Sequence, residues 1–321
     1  MHASPRPNHT PGDRALVSVV VLNFRRQQEL VRTLDSVRTQ TYEPRETIVV
    51  DNASGDDTLP FLSRHYPEVR AFLLPGNIGC GGRNRGVEAA QGEFVVTLDN
   101  DVRFDHPSAL EEVVRGFAQH PEASVLVFKI LADATGDLHL RDWCHPRNCF
   151  EWADRDFETY YIAEGACAFR RASFLGVGGY YEPFHIGGEG WDLALRMIEA
   201  GHRVVYCAGV RVRHALAQET RGDRRPYYFL TRNAIWTAFR DYRGWRRWQY
   251  VAYTIARVLF FARSWAILRD FFQGLRDGFR QARHLPGRPV SDATWKRIRE
   301  IRSRRPGWLT RLRTHAGHSE I

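Results

Sequence analysis

The chain has 321 residues, 43% hydrophobic and 26% charged, a globular mix that excludes disorder and a collagen-like repeat. Its net charge of +9 is unevenly placed: residues 1–214 sum to −6 and residues 215–321 to +15, so a mildly acidic body carries a basic tail that attracts phosphate on lipid, nucleic acid or a charged substrate. Five cysteines, an odd number in a chain this long, exclude a disulfide framework and point to a reducing compartment.

The opening segment, residues 1–14, has three prolines and no apolar core, so it is expected to be a disordered lead-in and neither a signal peptide nor an anchor. From Ala15, β-branched runs alternate with amphipathic stretches, as in a parallel sheet covered by helices. Strands are predicted at Leu16 to Leu22, Thr47 to Val50, Val69 to Leu74 and Phe94 to Leu98. Helices are predicted from about Gln28 to Thr39, where Leu30, Val31, Leu34 and Val37 recur at three and four, and from Arg83 to Ala90. Right-handed crossovers make this an α/β, doubly wound sheet with ligands at the carboxyl ends of its strands. Asn23, Asp51, Asn77, and Asp99 with Asp101 follow successive strands. Any one of them is also a natural turn or cap residue, but five at one edge point to a site.

Two motifs stand out. In LDNDV, Leu98 to Val102, a strand runs into two carboxylates one residue apart, hard oxygen ligands that can converge on Mg²⁺ or Mn²⁺. GNIGCGGRNRG, Gly76 to Gly86, lacks the spacing of a dinucleotide fingerprint. It reads instead as a loop that approaches a nucleotide and opens a helix facing phosphate, with Arg83 and Asn84 as donors, or as an ordinary glycine-rich turn.

VSVVVLNF, VVDNASGDDT, the NIG…RNRG loop and LDNDV, in that order, resemble family 2 glycosyltransferases of the GT-A fold, of the bacterial rhamnosyltransferase-like type, over about Val17 to His214. The resemblance implies a nucleotide-diphosphate-sugar donor, with Asn23, Asp51, Asn52, Asn77, Gly79, Arg83, Asn84 and Asp99 around it. It places Asp51 near the base, Asp99 near ribose or metal, and Asp101 as the direct metal ligand. Family members often carry Glu-Asp in the stretch corresponding to Pro183 to Arg196, the second acid serving as general base; this chain has Glu189 followed by Gly190. Glu189 is the expected base, Asp192 its competitor, and either is also a plausible charge at a helix N-terminus. His214 matches a histidine placed near metal or diphosphate in related enzymes, and is equally a structural hydrogen-bonding group.

RDWCHPRNCF, Arg141 to Phe150, lacks the second ligand pair of a zinc site. Trp152, Phe157, Tyr160 and Tyr161 are either an acceptor-stacking wall or core. In the tail, Arg257, Arg263 and Arg269 interrupt the apolar stretch Trp248 to Phe272, so no span is predicted, and at intervals of six they do not form one polar face. Aromatic helices with Arg225, Arg246, Arg247 and the run Lys296 to Arg313 suit an anionic membrane surface or a cap with a solvated face; no nucleic-acid partner is expected.

The expectation is thus a metal-dependent, inverting transferase with catalytic residues 15–214 and a basic helical extension 215–321. It would be cytoplasmic and peripheral on the inner face of the cell membrane, and use a carbohydrate, lipid-linked or small-molecule acceptor. The alternative is a nucleotide-sugar or anionic-lipid binding protein without turnover, suggested by Gly190.

Overall fold

The structure, a computed structural model, describes residues 14–215, 225–262 and 264–303. The expected lead-in through residue 13 and the part of the basic run from residue 304 lie outside the described residues.

Strand β1 (Val17–Asn23) buries Val17, Val19, Val20 and Val21, because helices cover both faces of the sheet; hence an apolar run interrupted only by the buried Ser18. Helix α1 (Gln27–Arg38) buries Leu30, Leu34 and Val37, the stripe visible in the sequence. Then come β2 (Arg45–Asp51), α2 (Thr58–His65), β3 (Arg70–Leu73), α3 (Gly81–Ala89) and β4 (Phe94–Asp99). Helix α2 has no sequence signal because only Thr58 and Leu62 are buried along its eight residues. β1 pairs in parallel with β2 and β4, and β2 with β3, as expected. Helix α3 lies so close to the sheet that a Cβ on Gly86 would come within 2.2 Å of Val20 Cγ1, so only glycine fits there.

Beyond β4 the chain forms β5 (Val102–Phe104), α4 (Ala109–Gln119), β6 (Ala123–Ala132), α5 (Cys149–Trp152), β7 (Phe157–Thr159), β8 (Ala166–Arg170), α6 (Arg171–Gly176), α7 (Glu189–Glu199) and β9 (Arg203–His214). The sheet order is β3-β2-β1-β4-β8-β6-β9-β5, with β7 also on β9. The α/β class holds, but β8 is antiparallel to both β4 and β6, a departure from a simple doubly wound sheet. Its first residue, Ala166, pairs with Leu98 near the end of β4. Antiparallel insertion therefore carries the segment just before β8 to the carboxyl edge where Asp99 sits.

The basic tail is helical: α8 (Pro226–Asp241), α9 (Gly244–Phe261), α10 (Trp265–Ala282) and α11 (Asp292–Arg302). Among the described residues no helix is long and apolar enough to cross a membrane. The change of charge at His214 is not a change of core, since Ile235, Trp236 and Ala238 of α8 belong to the same apolar cluster as the sheet valines. Polar contacts add to this. Asn233 Nδ2 donates to the carbonyls of Phe184 (2.9 Å), Ile186 (2.9 Å) and Gly187 (2.6 Å), which fixes the loop before α7. Asp192 of α7, fully buried, accepts from Arg196 Nη2 at 2.5 Å and from Arg240 Nη1 of α8 at 2.7 Å.

Breaking a buried ion pair costs about 3–5 kcal/mol, an upper bound for losing one of the two arginines on Asp192, since Arg196 still faces it. Arg240→Met is expected to lower unfolding stability by up to that amount in urea titration, and a loss under about 1 kcal/mol would show that α8 is not clamped to α7 through Asp192.

Candidate active site

The ends of β1, β2 and β4 are tied by a buried amide and carboxylate network. Asn23 Nδ2 donates to Asp51 Oδ2 (2.9 Å), Asn100 Nδ2 donates to Asn23 Oδ1 (2.7 Å), and Asp51 Oδ1 accepts from the Ser54 amide (2.7 Å). Both oxygens of Asp51 are thus engaged and the residue is buried. Asn52 holds the glycine loop, accepting from the Ile78 amide (2.9 Å) and donating to the Gly79 carbonyl (3.1 Å). Asn77 is exposed and accepts from the Gly79 amide (2.9 Å). Asn84 faces the interior, bonded to both the amide (2.8 Å) and carbonyl (2.9 Å) of Tyr180. Of the predicted donor-site residues, Asn23, Asp51 and Asn52 build the edge, Asn84 is turned away from it to Tyr180, and Arg83, Asp99 and Asp101 have their charged ends in the cluster beside it.

In that cluster Arg83 pairs with Asp99, and Arg26, from the turn before α1, pairs with Asp101. A Cβ on Gly165 would lie 2.3 Å from Asp99 Cγ, so glycine at the head of β8 makes room for this carboxylate. Burial, and then the charge of Asp99, raise the Asp101 carboxyl above its ordinary range. His214, at the end of β9, has Nε2 3.7 Å from Asp101 Oδ1. Its Nδ1 is 2.8 Å from Asp142 Oδ2, an oxygen that also lies 2.9 Å from His139 Nδ1. Burial disfavours the His214 cation, but the hydrogen bond and charge of Asp142 outweigh it and raise the imidazole. Burial likewise opposes the Asp142 anion, yet its histidine partners hold that carboxyl far below the usual range. A carboxylate that engages one ring nitrogen and leaves the other toward a second carboxylate is the arrangement that orients a metal-ligating histidine. By their chemistry the carboxylates of Asp99 and Asp101 with the imidazole of His214 are a donor set suited to a divalent cation such as Mg²⁺ or Mn²⁺, while the donor atoms that lie within 4.8 Å of one another among the described residues are those of His139, Asp142 and His214.

Glu189 opens α7 beside this cluster. It is 5% exposed, and its Oε2 is buried without a hydrogen-bond partner. Burial, with the charge of Glu164 next, pushes its carboxyl up to about 8. Glu164 is itself raised by burial, and Arg83 lies in the field of Asp99, Glu164 and Glu189. Asp192, the predicted competitor, is not brought to this group; Arg196 and Arg240 occupy its oxygens in the interior. Gly190 has a packing reason: its amide donates to Glu164 Oε1 (2.7 Å), and a Cβ there would come within 2.4 Å of that oxygen.

The sequence reading missed Glu164, Asp142, His139 and Arg26. Asp142 lay within the segment weighed for zinc through its cysteines, and Glu164 precedes a short strand whose position only the fold reveals. Phe157 and Tyr160 are buried, Phe157 stacking on Tyr206 at 4.8 Å, so these two serve the core.

Residues 18–177 match the family model described as Glycosyl transferase family 2. Among curated proteins, the chain is 29% identical over 199 residues to the O-antigen chain rhamnosyltransferase WbaN of Salmonella anatum, covering 59% of this chain and 62% of that one. It is 24% identical over 268 residues to the N-acetylglucosaminyl-diphospho-decaprenol L-rhamnosyltransferase of Mycobacterium tuberculosis, covering 72% and 87%. The chain spans less than two thirds of the length of the first curated relatives it matches, 62% and 65%. Among solved structures, S. aureus TarS 1-349 in complex with UDP-GlcNAc aligns with a TM-score of 0.61 at 17% identity, covering 90% of this chain and 87% of that one. The mannosyltransferase PcManGT of Pyrobaculum calidifontis with GDP-Man and Mn²⁺ aligns at 0.56 and 20%, covering 95% and 84%. The fold is GT-A.

Because Glu189 is raised, the folded protein favours its protonated form, and stability is lost as pH climbs from the ordinary value near 4.5 toward about 8. Glu189→Gln removes that loss. Its melting temperature is expected to match the parent at pH 4.5 and to exceed it by about 3 °C or more at pH 8; a gap that does not widen with pH would show that this carboxyl is not raised.

Proposed function

Starting from a domain at residues 18–177 that belongs to glycosyl transferase family 2, we propose that this chain transfers a sugar from a nucleotide-diphosphate donor to an acceptor hydroxyl, with inversion at the anomeric carbon. The observation that carries the reading is Glu189: a buried carboxylate with an unpartnered oxygen, in the first turn of α7, beside the Asp99 and Arg83 pair.

In this reading Asp101, Asp99 and His214 hold a divalent cation, which when bound offsets negative charge on the departing diphosphate. Asp142 keeps the His214 ring turned toward Asp101, and Arg83 keeps Asp99 extended at the end of β4. The network through Asn23, Asp51 and Asn100 holds the edge rigid for the nucleoside. Glu189 accepts the acceptor hydroxyl's proton at Oε2 as the oxygen attacks from the face opposite the diphosphate. A carboxyl pushed up to about 8 retains that proton well, and the burial that raises it also limits the access of water as a competing acceptor. Helices α8 to α11 act as a cap that fixes the loop before α7.

Nucleotide-activated L-rhamnose is the first donor to test, because two of the similar proteins are named as rhamnosyltransferases. The decaprenol in one of those names makes a lipid-linked sugar the first acceptor. Binding without turnover loses its motive, since Gly190 is where Glu164 packs rather than a vacant catalytic position.

Purified protein with Mn²⁺ is expected to release nucleoside diphosphate from one member of a nucleotide-sugar panel when acceptor is present. Asp101→Ala is expected to lower that metal-dependent rate on the order of 10²–10³-fold; an unchanged rate would remove Asp101 from the metal site. Since Glu189 must be ionised to accept a proton, kcat/KM is expected to rise with pH and level off near the value to which this carboxyl is pushed, about 8. Glu189→Gln should lower kcat about 10²–10⁴-fold and erase that limb. A variant that keeps the parent's profile would transfer the role of base elsewhere.

A further inference from the structure

Helices α9 and α10 are two of the longest in the chain and form a layer over α8. Their inner faces are committed: Val251, Thr254 and Val258 of α9 are buried, and α10 lies against α8 through Gly274 and Gly278, where a Cβ would come within 2.6 Å of the Tyr228 carbonyl and 3.0 Å of Ile235 Cβ. Neither helix can roll its outer face inward.

The outer face of α9 is nonetheless apolar. Trp245, Trp248, Ala252, Ala256 and Leu259 recur at three and four residues along the exposed side, with Trp245 68% exposed. On α10 the outward positions mix aromatic and cationic side chains: Trp265 (86% exposed), Arg269, Phe272 (58% exposed), Arg276 and Arg280. The two faces join, because Trp248 stacks on Phe279 of α10 at 6.5 Å. A helix apolar on both sides with only one side packed leaves surface that water does not favour.

Charge on these helices is equally one-sided. Helix α9 carries arginines and no acid. The two acids of α10 are held inward or paired: Asp270 is buried against Arg225 (3.0 Å) with Arg269 at 3.7 Å, and Asp277 accepts from Tyr228 Oη (3.2 Å) and Arg276 Nε (3.0 Å). Arg257, Arg269 and Arg280 are exposed among the aromatics.

We propose that the joined outer faces of α9 and α10 dock on a bilayer surface bearing anionic phospholipid headgroups, the tryptophans and Phe272 entering the boundary between headgroups and acyl chains while the arginines contact phosphate. Arg257 lies on α9 and Arg269 on α10, so the six-residue intervals read in the sequence do not run along one helix; Arg263 lies outside the described residues. The face toward the protein is partly apolar, and the face toward solvent mixes apolar anchors with cations, the composition of an interfacial surface rather than of a span. A protein partner would require a complementary acidic and apolar surface; the excess of cations over acids on α9 and α10, beside interfacial aromatics, favours the lipid. This surface stands apart from the transferase reading, because it is tested without donor or acceptor.

The full chain is mixed with sedimentable vesicles of phosphatidylcholine alone, or with about one quarter phosphatidylglycerol. The parent is expected to sediment with the anionic vesicles and to be released as salt is raised. Trp265→Ser with Phe272→Ser is expected to weaken binding about tenfold or more, and Arg257→Glu with Arg280→Glu to remove the preference for anionic vesicles. These exposed substitutions should leave the melting temperature unchanged, which separates lost binding from lost fold. Equal sedimentation of parent and both variants, or no sedimentation of the parent, overturns the proposal. So does a parent dimer in light scattering that the aromatic variant converts to monomer without any vesicle binding, since that outcome assigns the face to a second copy of the chain.

Discussion

Three carboxylates, those of Asp99, Glu164 and Glu189, share the field of one buried guanidinium, that of Arg83. Charges of one sign held together away from water are costly unless something balances them, and here a single arginine faces three acids. The effect falls where it is useful. The pair Glu164 and Glu189 is pushed up in affinity for protons, while Asp101, beside Asp99, is raised by burial and repulsion. Burial and crowding of like charge thus raise proton affinity at both ends of the site, at Asp101 and at the pair Glu164 and Glu189.

This crowding depends on how the backbone is assembled. Antiparallel β8 enters next to β4 and delivers Glu164 and Gly165 to the strand end that carries Asp99, with no side chain at residue 165 to obstruct it. From the other direction, Asn233 and Arg240 of α8 hold the loop and the first turns of α7, so that Glu189 is presented from a fixed helix end. The cap and the catalytic edge are mechanically one piece although their net charges differ in sign. If the outer helices rest on a bilayer, the site is held at a fixed orientation to that surface, which suits an acceptor carried on a lipid.

Residues that look alike in the sequence have different fates. Asp99 and Asp101 end a strand and keep their carboxylates at the edge; Asp51 ends another and spends both oxygens on its neighbours. Glu189 and Asp192 are three apart on α7, yet the first turns to the cluster and the second into the interior between two arginines. Helical rotation of about 300° over three residues separates their environments only modestly, and what decides between them is that α8 supplies Arg240 on one side alone.

The sequence by itself determined the four strands of the first hundred residues, the helices α1 and α3 between them, and the row of polar residues at the strand ends, because apolar periodicity and turn chemistry are local properties; α2, with two buried residues, left no such trace. It also carried the family motifs and the break in charge at His214. Only the tertiary structure decided the direction of β8, the joining of Asp142 and His139 to His214, the burial of Asp192, and which side of α9 faces water. Each of these depends on contacts between segments far apart in the chain, where burial and partnering, rather than residue type, set what a carboxylate or a tryptophan does.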